Sequence, residues 1–189
     1  MNTSAHLIFG AAMFARPNNP KVTAAAITGG LMPDISLYLL VLWSLFIVQN
    51  DPGYVFDVQY FSTQWQDIFA VDNSFVVWGG IFALGFILAG KWLRVFAASG
   101  LVHLVFDFLL HNDDARRHFW PISDWVFVSP LSYWDIDHHG ALIGTLEVVV
   151  VFVMAMILLR RFGVSRMSAV IGVIALAEFA PFILFSAMN

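Results

Sequence analysis

The 189-residue chain is 60% hydrophobic and only 12% charged, with a mean hydropathy of +0.79, whereas soluble domains carry about 25% charged residues, so a soluble globular fold is excluded. The formal net charge of -4 includes no basic cluster and leaves no electrostatic footprint for nucleic acid. Cysteine is absent, which removes disulfides, thiolate metal sites and cysteine nucleophiles and leaves nitrogen and oxygen as the donors for any metal.

The first apolar stretch, Ala5 to Ala15, is too short to cross a bilayer comfortably. It lacks the basic leader of a secretory signal and is expected to remain in the fold as a short N-terminal helix. Longer apolar segments follow at Val22 to Val48, Ser74 to Ala89, Val95 to Leu110, Leu142 to Leu159 and Met167 to Ala187. A span needs roughly 17 or more apolar residues, so the second and third must draw on their flanks. The chain therefore reads as one all-α domain, residues 1-189, forming a polytopic transmembrane helix bundle of about five spans.

Basic residues sort the connections. Arg16 and Lys21, Lys91 and Arg94, and Arg160, Arg161 and Arg166 mark three short cytoplasmic segments by the positive-inside rule. Gln49 to Asn73 and Asn112 to Gly140 then face outward, and the C-terminus is expected outside. Phe61, Trp65, Ile68 and Phe69 have the spacing of a short amphipathic helix lying in the interface. Trp120, Trp125, Tyr133 and Trp134 suit the headgroup belt, so membrane lipid is the expected surrounding of both outer loops. No internal repeat is visible, which weighs against a transporter of duplicated halves.

Ionisable groups within a span are costly and usually functional. His103, Asp107 and His111 stand at i, i+4 and i+8, one stripe of a helix, and imidazole with carboxylate is a donor set for zinc or a similar divalent ion. Asp34 lies in Gly29-Gly30-Leu31-Met32-Pro33-Asp34, which is expected to interrupt the longest apolar segment. Asp34 either faces a polar cavity opened by that break or caps the helix beginning at Ile35. His6 taken alone reads as an interfacial histidine. His118, His138 and His139, with Asp113, Asp114, Asp135 and Asp137, read as solvated loop residues. All six histidines, with Asn73 in the polar Asp72-Asn73-Ser74, gather at one end of the bundle if the N-terminal segment enters from outside.

These residues resemble the membrane-bound metal-dependent hydrolases, the inner-membrane family known as domain of unknown function 457, which has a LexA-regulated member. Ala5-His6-Leu7-Ile8-Phe9 echoes its opening Gly-His-Leu-Leu-Phe-like segment, and Leu31-Met32-Pro33-Asp34-Ile35 echoes its Leu-Leu-Pro-Asp-Ile-Asp-His. His103 and Asp107 echo its His-x-x-x-Asp helix, and Trp120-Pro121 the loop that follows. The chain departs from the family at Ser36-Leu37, where Asp-His is expected, and lacks the His-Arg-x-x-Thr-His-Ser element, near whose place stands Asp72-Asn73-Ser74. His111, His118, His138, His139 and Asn73 are the groups from which replacement ligands would come.

The resemblance implies an inner-membrane enzyme with a divalent metal, zinc first, held by His6, Asp34, His103, Asp107 and His111. Asp107 or Asp34 would be the catalytic base acting on an ester or phosphoester, lipid-linked or small, near the outer headgroups. The alternative is a non-catalytic bundle whose buried His and Asp groups hydrogen-bond its helices together or carry protons or ions.

Overall fold

A computed structural model describes residues 1-180, which are helical with no strand among the described residues. Helix α1 is Thr3–Phe14 and α2 is Pro20–Leu31. A 3-10 turn at Met32–Asp34 joins α2 to α3, Ile35–Leu42, which widens into a π-helical turn at Trp43–Ile47. The connection that follows holds α4, Pro52–Tyr54, a second π-helical turn at Val55–Gln59, and α5, Thr63–Asp72. Then come α6, Phe75–Ile87, α7, Lys91–Leu110, α8, Gly140–Phe162, and α9, Arg166–Ala177.

Local chemistry sets several of these boundaries. Asn19 caps α2 by accepting from the Val22 N–H, with Pro20 at the first helical position. Ser74 does the same for α6 and Ser165 for α9, while α8 stops at Gly163, whose φ of +58° suits a residue without a Cβ. Arg160 and Arg161 close α8. The Arg161 guanidinium reaches across to donate to the Ala12 carbonyl at 2.8 Å, putting a cation on the C-terminal end of α1.

Four helical runs are long and apolar enough to cross a membrane: Pro20–Ile47, Thr63–Ile87, Lys91–Leu110 and Gly140–Phe162. Their outward faces carry apolar side chains such as Leu39, Phe46, Ile87 and Phe152 at the surface, as lipid-facing helices do and water-facing ones do not. The protein is an integral membrane protein. The fifth expected span, Met167 to Ala187, is represented by the 12 residues of α9, and positions 181-187 lie outside the described residues.

Helix α1 is the centre of the bundle, enclosed by α2, α7, α8 and α9. Its Ala5 and Ile8 are fully buried, and Phe9 and Ala11 pack with Ala26, Val151, Ala155, Leu158 and Ile171. At 12 residues it is about 18 Å long, well short of a hydrocarbon core of about 30 Å. Small residues let α1, α2 and α7 approach closely. A Cβ on Gly10 would lie 2.7 Å from the Ala26 carbonyl oxygen, one on Gly29 2.2 Å from that of Phe96, and one on Gly30 2.7 Å from that of His6. Gly29 and Gly30 therefore do not interrupt the helix as expected; they remain inside α2 and serve as contact points.

The outer loops differ in detail from the expected interfacial helix. In α5, Trp65 and Phe69 turn inward onto Val55, while Ile68 and the preceding Phe61 are exposed, so the aromatic stripe is shared between a small core and the surface.

Candidate metal centre

The turn at Met32–Asp34 and the body of α7 bring Asp34 to His103, and α1 lays His6 on the His103 ring. Asp107 is the hub. Its Oδ2 lies 2.8 Å from His103 Nε2, and its Oδ1 lies 2.9 Å from His6 Nε2 and 3.1 Å from His111 Nε2. Asp34 Oδ1 is 3.5 Å from His103 Nε2. The His6 and His103 rings stack, with centroids 3.5 Å apart and planes 10° from parallel. Donor atoms of His6, His103 and Asp107 all lie within 4.8 Å of one another. All five residues expected at the centre thus converge.

One imidazole tautomer follows from its partner. His103 Nδ1 is 2.7 Å from the Gly30 carbonyl oxygen, which can only accept, so Nδ1 carries the proton and a neutral ring offers Nε2 as a lone pair. His111 Nδ1 is 2.8 Å from Asp114 Oδ2, the carboxylate-histidine arrangement that orients metal-binding imidazoles. Burial alone would raise the Asp114 carboxyl, but the His111 hydrogen bond and the charges of His111 and Arg116 outweigh it and hold the group below its ordinary value. Asp114 is therefore a buried anion, 8% exposed, and not the solvated loop residue expected.

Angles decide what the short distances mean. His6 Nε2 and His103 Nε2 sit closer than 3 Å to Asp107 oxygens, yet neither nitrogen is aligned for a hydrogen bond, and His6 Nδ1 also has no partner. Three ring nitrogens buried without hydrogen bonds are expensive in an apolar bundle. His6, His103 and Asp107 offer two imidazoles and a carboxylate, donor types that bind divalent cations, grouped closely enough to be a candidate site for one.

Asp34 does not cap α3. Its side chain makes no capping bond and accepts instead from the Thr3 hydroxyl at 2.5 Å, which in turn accepts from Tyr38 at 2.8 Å. The expected alternative of a simple helix cap is set aside, because the carboxylate turns back into the bundle.

Beside these groups lies a cavity of about 190 Å³, walled by Asp34, Asp107, His111, Asp114, Arg116 and Tyr133, with Tyr60 and Asn73 also on its surface. Burial pushes the Tyr60 phenol up to about 12. Burial, then the charges of Asp114 and Asp107, raise Tyr133 well above its ordinary value, so both walls present neutral hydroxyls. Asn73 reaches the cavity, but its amide nitrogen donates to the carbonyls of Pro33 and Phe69, holding the 3-10 turn against α5.

The remaining histidines stand apart. His118 donates through Nδ1 to the Asn73 carbonyl at 2.8 Å and packs on Phe75 and Phe108, where burial keeps it below its ordinary value. His138 pairs with Asp135 at 2.6 Å in the loop, and His139 is exposed at the start of α8. None of the three belongs to the cluster around Asp107.

Several polar residues of this region were not singled out from sequence. Glu147 of α8 and Glu178 after α9 are both buried beside the start of α1, where Glu147 accepts from the Asn2 N–H at 2.7 Å and Glu178 from the Ser4 hydroxyl at 2.6 Å. Glu147 was detectable as a lone acidic residue in an otherwise apolar span. No family model, curated protein or solved structure matches the chain.

Proposed function

We propose that this protein is a membrane-embedded, metal-dependent hydrolase of an ester or phosphoester, of the kind its motifs resemble. The observation that carries the reading is the grouping of His6, His103 and Asp107 donors within 4.8 Å, with both ring nitrogens of His6 and Nε2 of His103 buried without a hydrogen-bond partner. His6, His103 and Asp107 would hold the cation, zinc in the first instance, with His111 and Asp34 at its margin. Such an ion supplies a Lewis acid that polarises an ester or phosphoryl oxygen and acidifies water.

The chain's own groups divide the remaining work. Gly30 and Asp114 fix the orientation of His103 and His111 through their Nδ1 protons. Asp34 is held by Thr3 and faces the cavity, so its carboxylate is the candidate to take a proton from water there. Asp107, enclosed by three imidazoles, is better placed as a ligand than as a base.

Orientation belongs to the same proposal. Arg16, Lys21, Lys91, Arg94 and Arg161 lie at helix ends away from the cavity, as the contact of Arg161 with the end of α1 and the shared groove of Lys21 and Trp92 support. With those ends cytoplasmic, the centre opens toward the outer leaflet of a bacterial inner membrane and the C-terminus points outward. A lipid-linked or small phosphoester near the outer headgroups is then the substrate class.

The non-catalytic alternative assigns these groups to interhelical hydrogen bonds, and metal content separates the two. Detergent-purified protein prepared without chelator is expected to carry near-stoichiometric zinc or another divalent metal by elemental analysis, and an Asp107→Ala variant to lose it. Wild-type protein that stays metal-free even after incubation with zinc sinks the hydrolase reading.

A further inference from the structure

Two adjacent arginines in the outer loop have opposite surroundings. Arg117 is paired with Asp67 at 2.6 Å and Asp124 at 3.3 Å. Arg116, only 6% exposed, has no carboxylate within 4.0 Å among the described residues. Its guanidinium lies over the rings of Tyr60 and Phe69, 4.8 and 4.4 Å from their centroids, and donates to the Tyr60 hydroxyl at 2.5 Å and to Gln66 Oε1 at 3.3 Å. These are neutral partners. A buried cation whose direct partners are all neutral is costly, and Arg116 lines the same cavity as Asp34, Asp107, His111 and Asp114, the last of which feels its charge without pairing with it.

The geometry points to Arg116 as the anion-binding residue of this cavity, positioned to receive a phosphoryl group whose other oxygens face the Asp107 centre. A planar guanidinium resting on two aromatic rings and tied to Tyr60 and Gln66 is pre-organised, and its unused N–H groups form the fork that matches phosphate oxygens. The cavity's size, about 190 Å³, admits a phosphoryl group with little more, lying below the range of about 300–1,000 Å³ that encloses larger ligands. Tyr60 and Tyr133 add neutral hydroxyls to the wall. The carboxylates of Asp34, Asp107 and Asp114 would repel a phosphate on their own, so this inference rests on the metal reading, in which the cation offsets that charge.

The test measures zinc content and phosphate binding separately. Detergent-purified wild-type protein, zinc-supplemented, is titrated calorimetrically with inorganic phosphate and, in a second arm, with short-chain phosphatidic acid in neutral micelles. Wild type is expected to bind at least one of the two, and Arg116→Gln to bind it at least tenfold more weakly with zinc content unchanged. Arg116→Lys, which keeps the charge but loses the fork, is expected to fall between them and remains informative if Arg116→Gln does not fold. Tighter binding of the lipid assigns a headgroup, and equal or weaker binding a soluble phosphoester. Zinc-loaded wild type that binds neither ligand, or variants that bind as wild type does, overturns the role of Arg116 and leaves the metal centre standing. Zinc-free protein with Arg116-dependent phosphate binding retains the role and removes the metal. Absence of both overturns both.

Discussion

Asp107 carries a heavier electrostatic load than any other side chain in the centre, because three imidazoles face its two oxygens. Around it, the partners that set tautomers matter as much as the ligands. Asp114→Asn would leave His111 Nδ1 without its carboxylate, and zinc affinity measured by chelator competition is expected to fall about 10–100-fold, the usual effect of losing such a partner. Unchanged affinity would remove His111 from the site. The sequence made His103, Asp107 and His111 readable together, since one helical period aligns them. Asp34 was readable from the Gly-Pro break in an apolar span, with a helix cap as its alternative, whereas His6 alone reads as an interfacial histidine and stood out only as an echo of a family motif. Asp114 and Arg116 were not readable: their burial depends on how the loop after α7 folds over Tyr60 and Phe69, a contact some 50 residues distant in sequence.

Close packing of α1, α2, α6 and α7 depends on glycines at contact points. A Cβ on Gly100 would fall 2.2 Å from the Trp78 ring, whereas one on Gly79 or Gly80 would meet nothing within 4 Å. Gly100→Ala is therefore expected to destabilise the protein by about 1–3 kcal/mol through overpacking. Gly80→Ala should be neutral, or stabilising by up to about 1 kcal/mol from helix propensity. Thermal unfolding in detergent compares them, and equal melting temperatures would contradict this account of the α6–α7 contact. Helix α8 was legible because apolar length alone defines it, and α7 once its flank from Lys91 is added to the short apolar stretch. The run from Thr63 was not, since Gln64, Gln66, Asp67 and Asp72 disguise the outer part of a 25-residue segment whose apolar remainder begins near Ser74. Two glycines and a proline over Gly29 to Asp34 predict an interruption; the glycines stay helical, and a 3-10 turn at Met32–Asp34 absorbs the donor that Pro33 lacks and keeps the run going.

At the scale of the whole molecule, Lys21 and Arg161 lie at the end of the bundle opposite the cavity, whose own wall carries Arg116. The native chain has no cysteine, so single cysteines report the orientation without background. Ile122→Cys, beyond the cavity end, is expected to react with a membrane-impermeant maleimide on intact cells, and Val164→Cys, between α8 and α9, only after permeabilisation; both positions are exposed. The reverse pattern would invert the orientation, and labelling of both from one side would contradict the threading of α8.

The short length of α1 has a consequence for biogenesis. A segment of 12 residues is a weak signal for insertion as a span in its own right, yet its final seat is walled partly by α8 and α9, which leave the ribosome long after it. His6 reaches the centre only once α1 is seated, so a nascent protein whose α1 is still undocked would hold His103 and Asp107 in register without it. Maturation and assembly of the centre are the same event.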